Sequence, residues 1–374
     1  MFIKAVIRLS AISRSPFGRK VLGFSHCKML WGADMRRREF IKFFGNAAAA
    51  CVFGLFIADV ANSAEPVKIR LSWIVPVSNW ASMIEQKKDL AQHLGKSYTL
   101  EIIRFNGTPS LITALANNEL EVADLTFPTL PLAIQNAGLT DLQVIADEFQ
   151  DGNAGYYSNE YMVAKDGPIK TIDDLKGKVL ATNVTGSAVD VAMRAMLRKH
   201  KLEDKRDYTV IETPFPTMLS MLTQKKVDLI SAVLPFSLNP ELRTNATTLF
   251  TIKDAVGVTQ FSVWVARKGF IEKNRAAMVD FMEDSLRIVH WYLDPANHKE
   301  VMEICAKITK QPAERFGWVF TNKDNYRDPN MVPDLKALQA NVDTVKDLGF
   351  FKGTVDVSMH ADLSLVREAA KRLK

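Results

Sequence analysis

The sequence has little cysteine, and its histidines follow no metal-binding pattern. The three cysteines are Cys27, Cys51 and Cys305, so the chain beyond residue 64 holds only Cys305 and cannot form an internal disulfide. The six histidines are scattered, without the short spacings that structural or catalytic zinc requires. We therefore expect no metal site and no cofactor, and we expect Cys305 to be a small buried residue.

Sequence signatures of common enzymes are also missing. The chain contains no G-x-S-x-G, no phosphate-binding P-loop and no H-E-x-x-H. These absences remove the usual serine-hydrolase, nucleotide-hydrolase and zinc-peptidase interpretations. The sequence favours a binding protein over an enzyme.

The basic excess is confined to one end of the chain. The formal net charge is +6, but residues 1–64 contain ten Lys and Arg against three acidic residues. The remaining 310 residues are close to neutral, with a net charge of −1. A nucleic-acid-binding surface needs a basic patch on the folded body, so nucleic acid is not an expected partner.

Residues 35–64 have the pattern of an export signal. A basic start precedes an apolar run and a small-residue exit, and we expect cleavage near Ala64 and a periplasmic location. Arg37, Arg38, Phe40 and Lys42 are in register with the twin-arginine motif, which predicts the twin-arginine translocase as a partner. The alternatives are general secretion and an uncleaved anchor. Residues 1–34 are a leader extension of doubtful status, since either Met1 or Met35 could be the start.

Beyond residue 65, short β-rich runs alternate with helical patterns, which predicts an α/β fold. Strands are predicted at 67–75, 99–105, 122–127, 160–166, 179–182, 208–213, 227–234 and 261–268. The helical patterns include 79–95, 110–120 and 188–200, and the chain after 268 is almost wholly helical. The strands at 160–166 and 261–268 would cross between two lobes, an arrangement suited to a hinge that closes on a ligand.

Several segments resemble one family. Residues 169–179 read IKTIDDLKGKV and are followed by TNVTGSA, residues 105–120 read FNGTPSLITALANNEL, and residues 262–274 read SVWVARKGFIEKN. These resemble periplasmic solute-binding proteins of ABC transporters, in the nitrate/sulfonate/taurine branch. The resemblance implies the type II periplasmic-binding fold, with a central cleft between lobe I (65–158 and 262–374) and lobe II (159–261). It also implies a small-molecule solute and an ABC permease with its ATPase as partners. We expect a monomer, with the helical tail at 333–374 packed on the lobe, although this tail could also be a dimer surface.

Ligands of open α/β sheets lie beyond the carboxyl ends of the strands, which predicts the binding residues. In TNVTGSA, a strand ends in donor-rich residues at a helix N-terminus, although Ser187 and Gly186 could simply form the cap and the turn. Asn159 and Glu160 lie at the first crossing, where Glu160 is either a ligand acceptor or a hinge salt-bridge partner. The predicted ligand-binding residues are Ser72, Trp73, Asn79, Trp80, Phe105, Asn106, Gly107, Thr108, Thr126, Phe127, Glu160, Thr182, Asn183, Thr185, Gly186, Ser187, Ala188, Phe215, Pro235 and Phe236.

Rings and neutral donors dominate these predicted loops. They suit a small organic solute with a planar or apolar body, of the sulfonate, aromatic carboxylate or heteroaromatic type, better than inorganic nitrate. Each aromatic residue could instead pack in a core. Two other functions stay open. The chain could be a sensory binding protein that presents its ligand to a membrane receptor. It could also be an enzyme of the pyrimidine-precursor type, although the cysteine-rich motif of those enzymes is absent.

Overall fold

The computed structural model describes residues 65–373, which form two five-stranded sheets with helices packed on them. The leader motif at Arg37, Arg38, Phe40 and Lys42 lies outside these residues. The strands are β1 Val67–Trp73, β2 Tyr98–Arg104, β3 Val122–Thr126, β4 Leu142–Asp151, β5 Glu160–Ala164, β6 Val179–Thr182, β7 Thr209–Glu212, β8 Leu229–Ala232, β9 Ala246–Thr251 and β10 Thr259–Arg267. The helices are α1 Trp80–Ile84, α2 Pro109–Ala116, α3 Thr129–Gln135, α4 Ala188–Lys199, α5 Met218–Thr223, α6 Pro240–Asn245, α7 Ile252–Val256, α8 Lys268–Lys273, α9 Arg275–Leu293, α10 His298–Thr309, α11 Leu335–Asp347 and α12 Ser364–Arg372.

The two sheets have the same plan. Sheet A has the order β2-β1-β3-β10-β4, and sheet B has the order β7-β6-β8-β5-β9. In sheet A, β1 pairs in parallel with β2 and β3, while β10 runs antiparallel to β3 and β4. In sheet B, β6 pairs in parallel with β7 and β8, while β5 runs antiparallel to β8 and β9. The chain therefore enters sheet B through β5 and returns to sheet A through β10, as the predicted crossings require.

The antiparallel pair β4 and β10 lies deep in the core, although polar residues interrupt both strands. All ten residues of β4 are buried, as are the first eight of β10. Trp264 of β10 stacks on Phe281 of α9 with the ring centroids 5.6 Å apart. Cys305 is fully buried in the same core, as expected for a small apolar residue. Within residues 65–373, no helix combines the length and the apolar character needed to span a bilayer.

Two local predictions are wrong. The helix expected over 79–95 ends at Ile84, and the chain then runs through a short 3-10 turn. The backbone N–H groups of Gln92 and His93 each donate to the Asp284 carboxylate over 2.8 Å. This tertiary partner replaces the hydrogen bonds that a longer helix would make. The edge strand β9 was not predicted, because its side chains at 247 and 248 are exposed and polar and give no apolar run.

Candidate functional site

A cavity lies where the carboxyl ends of strands from both sheets meet. We call it the central cavity. Sheet A contributes residues after β1 and β2 and residues within β3, β4 and β10, and sheet B contributes residues after β6 and β8. The lining residues are Ile74, Val75, Ser78, Asn79, Thr108, Asp124, Thr126, Phe149, Asn159, Asn183, Ser187, Ala188, Val189, Phe215, Val233, Leu234, Phe261, Ser262 and Asn325.

A hydrogen-bonded trio forms the sheet A side of the cavity. Asn79 Oδ1 accepts the backbone N–H groups of Ile74 and Val75 over 3.0 and 2.8 Å, which fixes the loop after β1. Asn79 Nδ2 donates to Asp124 Oδ2 over 2.9 Å, and the Ser262 hydroxyl donates to Asp124 Oδ1. Each oxygen of the Asp124 carboxyl therefore accepts one hydrogen bond from a neighbour, on β10 or on the β1 loop.

Burial controls the acid–base state of this side of the cavity. Burial raises the pKa of Asp124 well above its ordinary value, and the negative charge of Glu148 raises it further. Burial also raises the pKa of Glu148 to about 7, although the backbone N–H of Trp80 donates to its Oε1. The guanidinium of Arg327 opposes these shifts from behind the cavity. Asp124 is thus held in its neutral form more readily than an exposed carboxyl is.

Aromatic rings form two walls. Phe149 and Phe261 stack with their centroids 4.8 Å apart, and both line the cavity. On the sheet B side, Phe215 lines the cavity and stacks on Phe236, with centroids 6.1 Å apart. These rings can hold a planar or apolar part of a ligand by stacking and by burial of apolar area.

The loop between β6 and α4 lies at the cavity as predicted, and it is also a helix cap. The Ser187 hydroxyl accepts the Asp190 N–H over 3.4 Å and donates to Asn183 Oδ1 over 2.8 Å. The Asp190 carboxylate in turn accepts the Gly186 N–H over 2.9 Å. On sheet A, the Thr108 and Thr126 hydroxyls are 3.1 Å apart. The cap does not exclude a binding role, since Ala188 and Val189, the first residues of α4, also line the cavity.

The first crossing contributes an amide with a free acceptor. Asp151 Oδ2 accepts both the backbone N–H and the side-chain Nδ2 of Asn159, each over 2.8 Å. Asn325 Nδ2 donates to the Tyr157 carbonyl over 3.2 Å. Asn159 is buried, and its Oδ1 has no hydrogen-bond partner among the described residues. Burial raises the pKa of Asp151 to about 7, despite its bonds from Asn159 and Ser158.

The two sides of the cavity touch each other. The Ser78 hydroxyl, after β1, donates to the Leu234 carbonyl, after β8, over 3.0 Å. Gly107, after β2, lies so close to Val184 that an added Cβ would be 2.7 Å from Val184 Cγ2. The two sides of the cleft are therefore in contact at these two points.

The structure brings together ten of the twenty predicted residues. Seven line the central cavity: Asn79, Thr108, Thr126, Asn183, Ser187, Ala188 and Phe215. Three more, Phe105, Asn106 and Phe236, line an adjoining outer groove that also includes Asn183 and Phe215. The other ten predicted residues line neither the central cavity nor the outer groove. They are Ser72, Trp73, Trp80, Gly107, Phe127, Glu160, Thr182, Thr185, Gly186 and Pro235.

Several of those ten support the cavity from behind. The Ser72 hydroxyl accepts the Asp124 N–H over 2.9 Å. Trp80 is buried and stacks on Phe320 at 5.1 Å. Phe127 is fully buried and packs edge-to-face on Phe261 at 6.3 Å.

Other predicted residues outside the lining make local contacts or turn the chain. Trp73 lies beneath the Arg104 guanidinium at 5.0 Å. Thr182 is fully buried at the end of β6, and Pro235 follows Leu234 outside the lining. The Thr185 N–H donates to Glu212 Oε1 over 2.7 Å, and Gly186 turns the chain with φ of +81°.

Glu160 forms a salt bridge, as in one of the two alternatives left open by the sequence. Arg243 pairs with both of its carboxylate oxygens, with Nη1 to Oε1 at 3.0 Å. The Tyr157 hydroxyl donates to Oε2 over 2.8 Å, and the Thr248 hydroxyl donates to Oε1 over 2.6 Å. These bonds hold the pKa of Glu160 below its ordinary value despite its burial. Its acceptor sites are filled by protein groups.

Sequence reasoning missed part of the lining, notably Asp124, Ser262, Phe149, Phe261 and Asn325. Asp124 lies within β3, two residues before its end, so the rule of strand ends did not select it. Phe149 and Phe261 lie within apolar runs that are typical of core strands. A charged residue inside a fully buried strand was the one available signal for Asp124.

Comparison with known proteins places the chain in a family. The sequence profile of the NMT1-like family matches residues 62–306. The chain belongs to the NMT1-like family. The family resemblance read from the sequence motifs is thereby confirmed. A search of curated proteins finds no match.

Solved structures share the fold at low sequence identity. The periplasmic aliphatic sulphonate binding protein SsuA from Escherichia coli is 18% identical, with a TM-score of 0.61 over 81% of this chain and 99% of that one. The periplasmic nitrate-binding protein NrtA from Synechocystis PCC 6803 is 15% identical, with a TM-score of 0.64 over 83% and 90%. The desulfurization enzyme DszB is 12% identical, with a TM-score of 0.57 over 82% and 100%. These similarities confirm the predicted type II periplasmic-binding fold.

Proposed function

We propose that this protein is an exported solute-binding protein that captures a small organic molecule in the central cavity and delivers it to an ABC importer. The observation that carries the proposal is a cavity enclosed between two sheets, lined by strand ends from both. Contacts such as Ser78 to Leu234 join the two sides across the cleft, as expected of lobes that close on a ligand.

The comparisons support the transport role. SsuA and NrtA are described as periplasmic binding proteins for an aliphatic sulphonate and for nitrate, and each is matched over 90% or more of its length. The predicted division at residues 158 and 261 puts β1–β4 in lobe I and β5–β9 in lobe II. We propose that the lobes follow these limits. The permease and its ATPase would contact the outer faces of both lobes in the closed form.

The ligand we propose is a small organic solute with a planar or apolar part. The Phe149–Phe261 pair and Phe215 offer stacking surfaces for such a part. Among the three types that the sequence favours, the heteroaromatic type fits the neutral amides and hydroxyls of Asn79, Asn159 and Thr126 best. We propose Asn79, Thr108, Thr126, Asn183, Ser187, Ala188 and Phe215 as the ligand-contacting residues from the predicted set.

The similarity to DszB keeps an enzyme as a second candidate. The same fold supports that desulfurization enzyme, so fold alone does not decide between the two classes. In residues 65–373 no cysteine or histidine lines the cavity, and Cys305 is buried in the sheet A core. Burial raises the pKa of the Cys305 thiol, which disfavours the reactive thiolate. The lining therefore supports binding over covalent chemistry.

The location we propose is the periplasm. Arg37, Arg38, Phe40 and Lys42 would direct export by the twin-arginine route, with cleavage near Ala64 and a monomeric mature chain. Replacement of both arginines by lysine should retain the chain in the cytoplasm with its leader uncleaved. Export that is unchanged in that variant would point to general secretion instead.

A thermal-shift screen tests the function. The mature chain would be heated with aliphatic sulfonates, nitrate, aromatic carboxylates and nitrogen heterocycles. A ligand at about a hundred times its dissociation constant stabilises the native state by ~2.7 kcal/mol, which raises the melting temperature measurably. A solute that stabilises the protein supports capture, and turnover of that solute would indicate the enzyme. Uptake of the solute that is lost on gene deletion would distinguish an importer from a sensory protein.

A further inference from the structure

We infer that Asp124 makes the central cavity selective for solutes that carry an N–H or O–H donor and no negative charge. The inference rests on the proposed solute-binding function and narrows its ligand class. It separates this chain from SsuA and NrtA, which are described as binding a sulphonate and nitrate.

The cavity lining holds no fixed positive charge. Among the described residues that line it, none is Lys, Arg or His, and Asp124 is the one ionisable side chain. Asp124 is 2% exposed and contributes hydrogen-bonding groups to the lining. An anionic ligand would lose its hydration in this cavity without gaining a cationic partner, which is a large cost.

Several buried carboxyl groups and one buried cation lie behind the lining. Asp147, Glu148 and Asp151 of β4 are fully buried, and Asp324 is 1% exposed. The Arg327 Nη1 donates to the Glu148 carbonyl over 3.0 Å, and its Nη2 lies 3.8 Å from Asp324 Oδ1. Arg327 is not among the lining residues and already has these protein partners, so it offers an anion in the cavity no direct contact.

A second observation indicates a donor on the ligand. Asn159 lines the cavity and is 2% exposed, and its Nδ2 is committed to Asp151 Oδ2 over 2.8 Å. That bond fixes the amide orientation, so Oδ1 remains as a buried acceptor with no partner. A buried acceptor without a donor costs free energy, which a ligand N–H or O–H would recover. Asn159 Oδ1 therefore offers a free acceptor to a ligand, and the Asp124 oxygens, which each accept one bond from a neighbour, keep a second acceptor position.

The N-terminus of α4 does not reverse this preference. A free helix N-terminus attracts anions through its unpaired N–H groups. Here the Asp190 carboxylate already accepts the Gly186 N–H over 2.9 Å, and Asp190 is itself in the first turn. The Asp190 carboxylate, which also pairs with Arg194 Nε over 2.9 Å, therefore occupies part of this helix end.

Four probes of one shape test the inference. Benzamide, benzamidine, benzoate and benzenesulfonate share a ring that can stack between the phenylalanines, and they differ in charge and in donors. Their affinities would be measured by calorimetry with the full chain, with Asp124→Asn and with Asp166→Asn, which alters an exposed carboxylate as the control. Nitrate and ethanesulfonate would be included as anions without a ring.

We expect benzamide or benzamidine to bind the unchanged chain at least about tenfold more tightly than either ring anion. Asp124→Asn should reduce that preference to about threefold or less, while Asp166→Asn should leave it unchanged. An anion that binds the unchanged chain as tightly as benzamide would overturn the inference, and this comparison does not depend on the folding of Asp124→Asn. The absence of measurable binding by all four ring probes would also overturn the inference. If another solute still stabilises the protein in that case, the proposed function survives.

Discussion

Asn79 Nδ2 donates a 2.9 Å hydrogen bond to Asp124 Oδ2, and this bond joins the loop after β1 to the centre of β3. The same amide accepts two backbone N–H groups through Oδ1, so one buried side chain orients both the cavity loop and the one ionisable group of the lining. Both residues are almost fully buried, which makes the bond costly to break.

Replacement of Asn79 by Ala should destabilise the protein and abolish binding together. Two backbone N–H groups and one Asp124 oxygen would lose their partner, a cost of about 2–4 kcal/mol in the free energy of unfolding. Urea unfolding measures the loss. The control is Asn117→Ala, which alters an exposed amide at the end of α2 and should change stability by less than about 0.5 kcal/mol. Equal stability of the two variants would show that the Asn79 bonds contribute nothing.

Phe215 and Phe127 should respond differently to truncation, although both are predicted from the sequence to bind the ligand. Phe215 is half-buried and lines the cavity, whereas Phe127 is fully buried in the core. Phe127→Ala should cost about 3–5 kcal/mol of stability through the cavity that it leaves. Phe215→Ala should cost much less stability but reduce ligand affinity about tenfold or more. A reversal of these two results, measured by urea unfolding and calorimetry, would contradict the assignment of the cavity.

Closure of the cleft should depend on the absence of a side chain at position 107. Gly107→Ala places a Cβ 2.7 Å from Val184 Cγ2, closer than two carbon atoms pack. We expect about a tenfold loss of ligand affinity, equivalent to about 1.4 kcal/mol, because the closed form becomes strained. Adding Val184→Ala removes the clashing methyl group and should restore most of the affinity. A double variant as weak as Gly107→Ala would show that the contact does not limit closure.

Stability should fall as the pH rises from about 5.5 to 8. Burial raises the pKa values of Asp147, Glu148 and Asp151 to about 7, above the values near 4 of an unfolded chain. Between these values the folded protein keeps protons that the unfolded chain has released, so the free energy of unfolding decreases with pH and the gain is lost above about 7. The lowered pKa of Glu160 acts only below its ordinary value of 4.5, outside this range.

Glu148→Gln tests the origin of that dependence. Oε2 of Glu148 has no hydrogen-bond partner, so an amide there loses no bond. We expect a melting temperature higher by a few degrees at pH 8 and a smaller rise between pH 8 and 6 than in the unchanged chain. The exposed replacement Glu272→Gln should keep the original profile. A Glu148→Gln profile identical to that of the unchanged chain would contradict the assigned pKa.

The sequence predicted the fold well because apolar periodicity, and the order of strands and helices along the chain, can be read from local segments. The crossing strands β5 and β10 were located as apolar runs bounded by short polar segments. The TNVTGSA loop was located from the change of period between β6 and α4. The candidate site was predicted in part, because strand ends are readable and side-chain direction is not. Phe127 and Phe215 look alike in sequence, and only tertiary packing places one in the core. Asp124 could not be selected because its role depends on Asn79 and Ser262, distant in the chain.

Native mass spectrometry of the full chain with the solute panel tests the central claim most directly, when it is compared with the double variant Asn183→Ala/Phe215→Ala. Both replaced side chains line the cavity from sheet B, and Phe215 is not fully buried, so the fold should survive. The proposed function predicts one bound solute per chain and at least about a tenfold weaker complex with the variant. A solute bound equally by both proteins, or no bound solute with a folded chain, would contradict it.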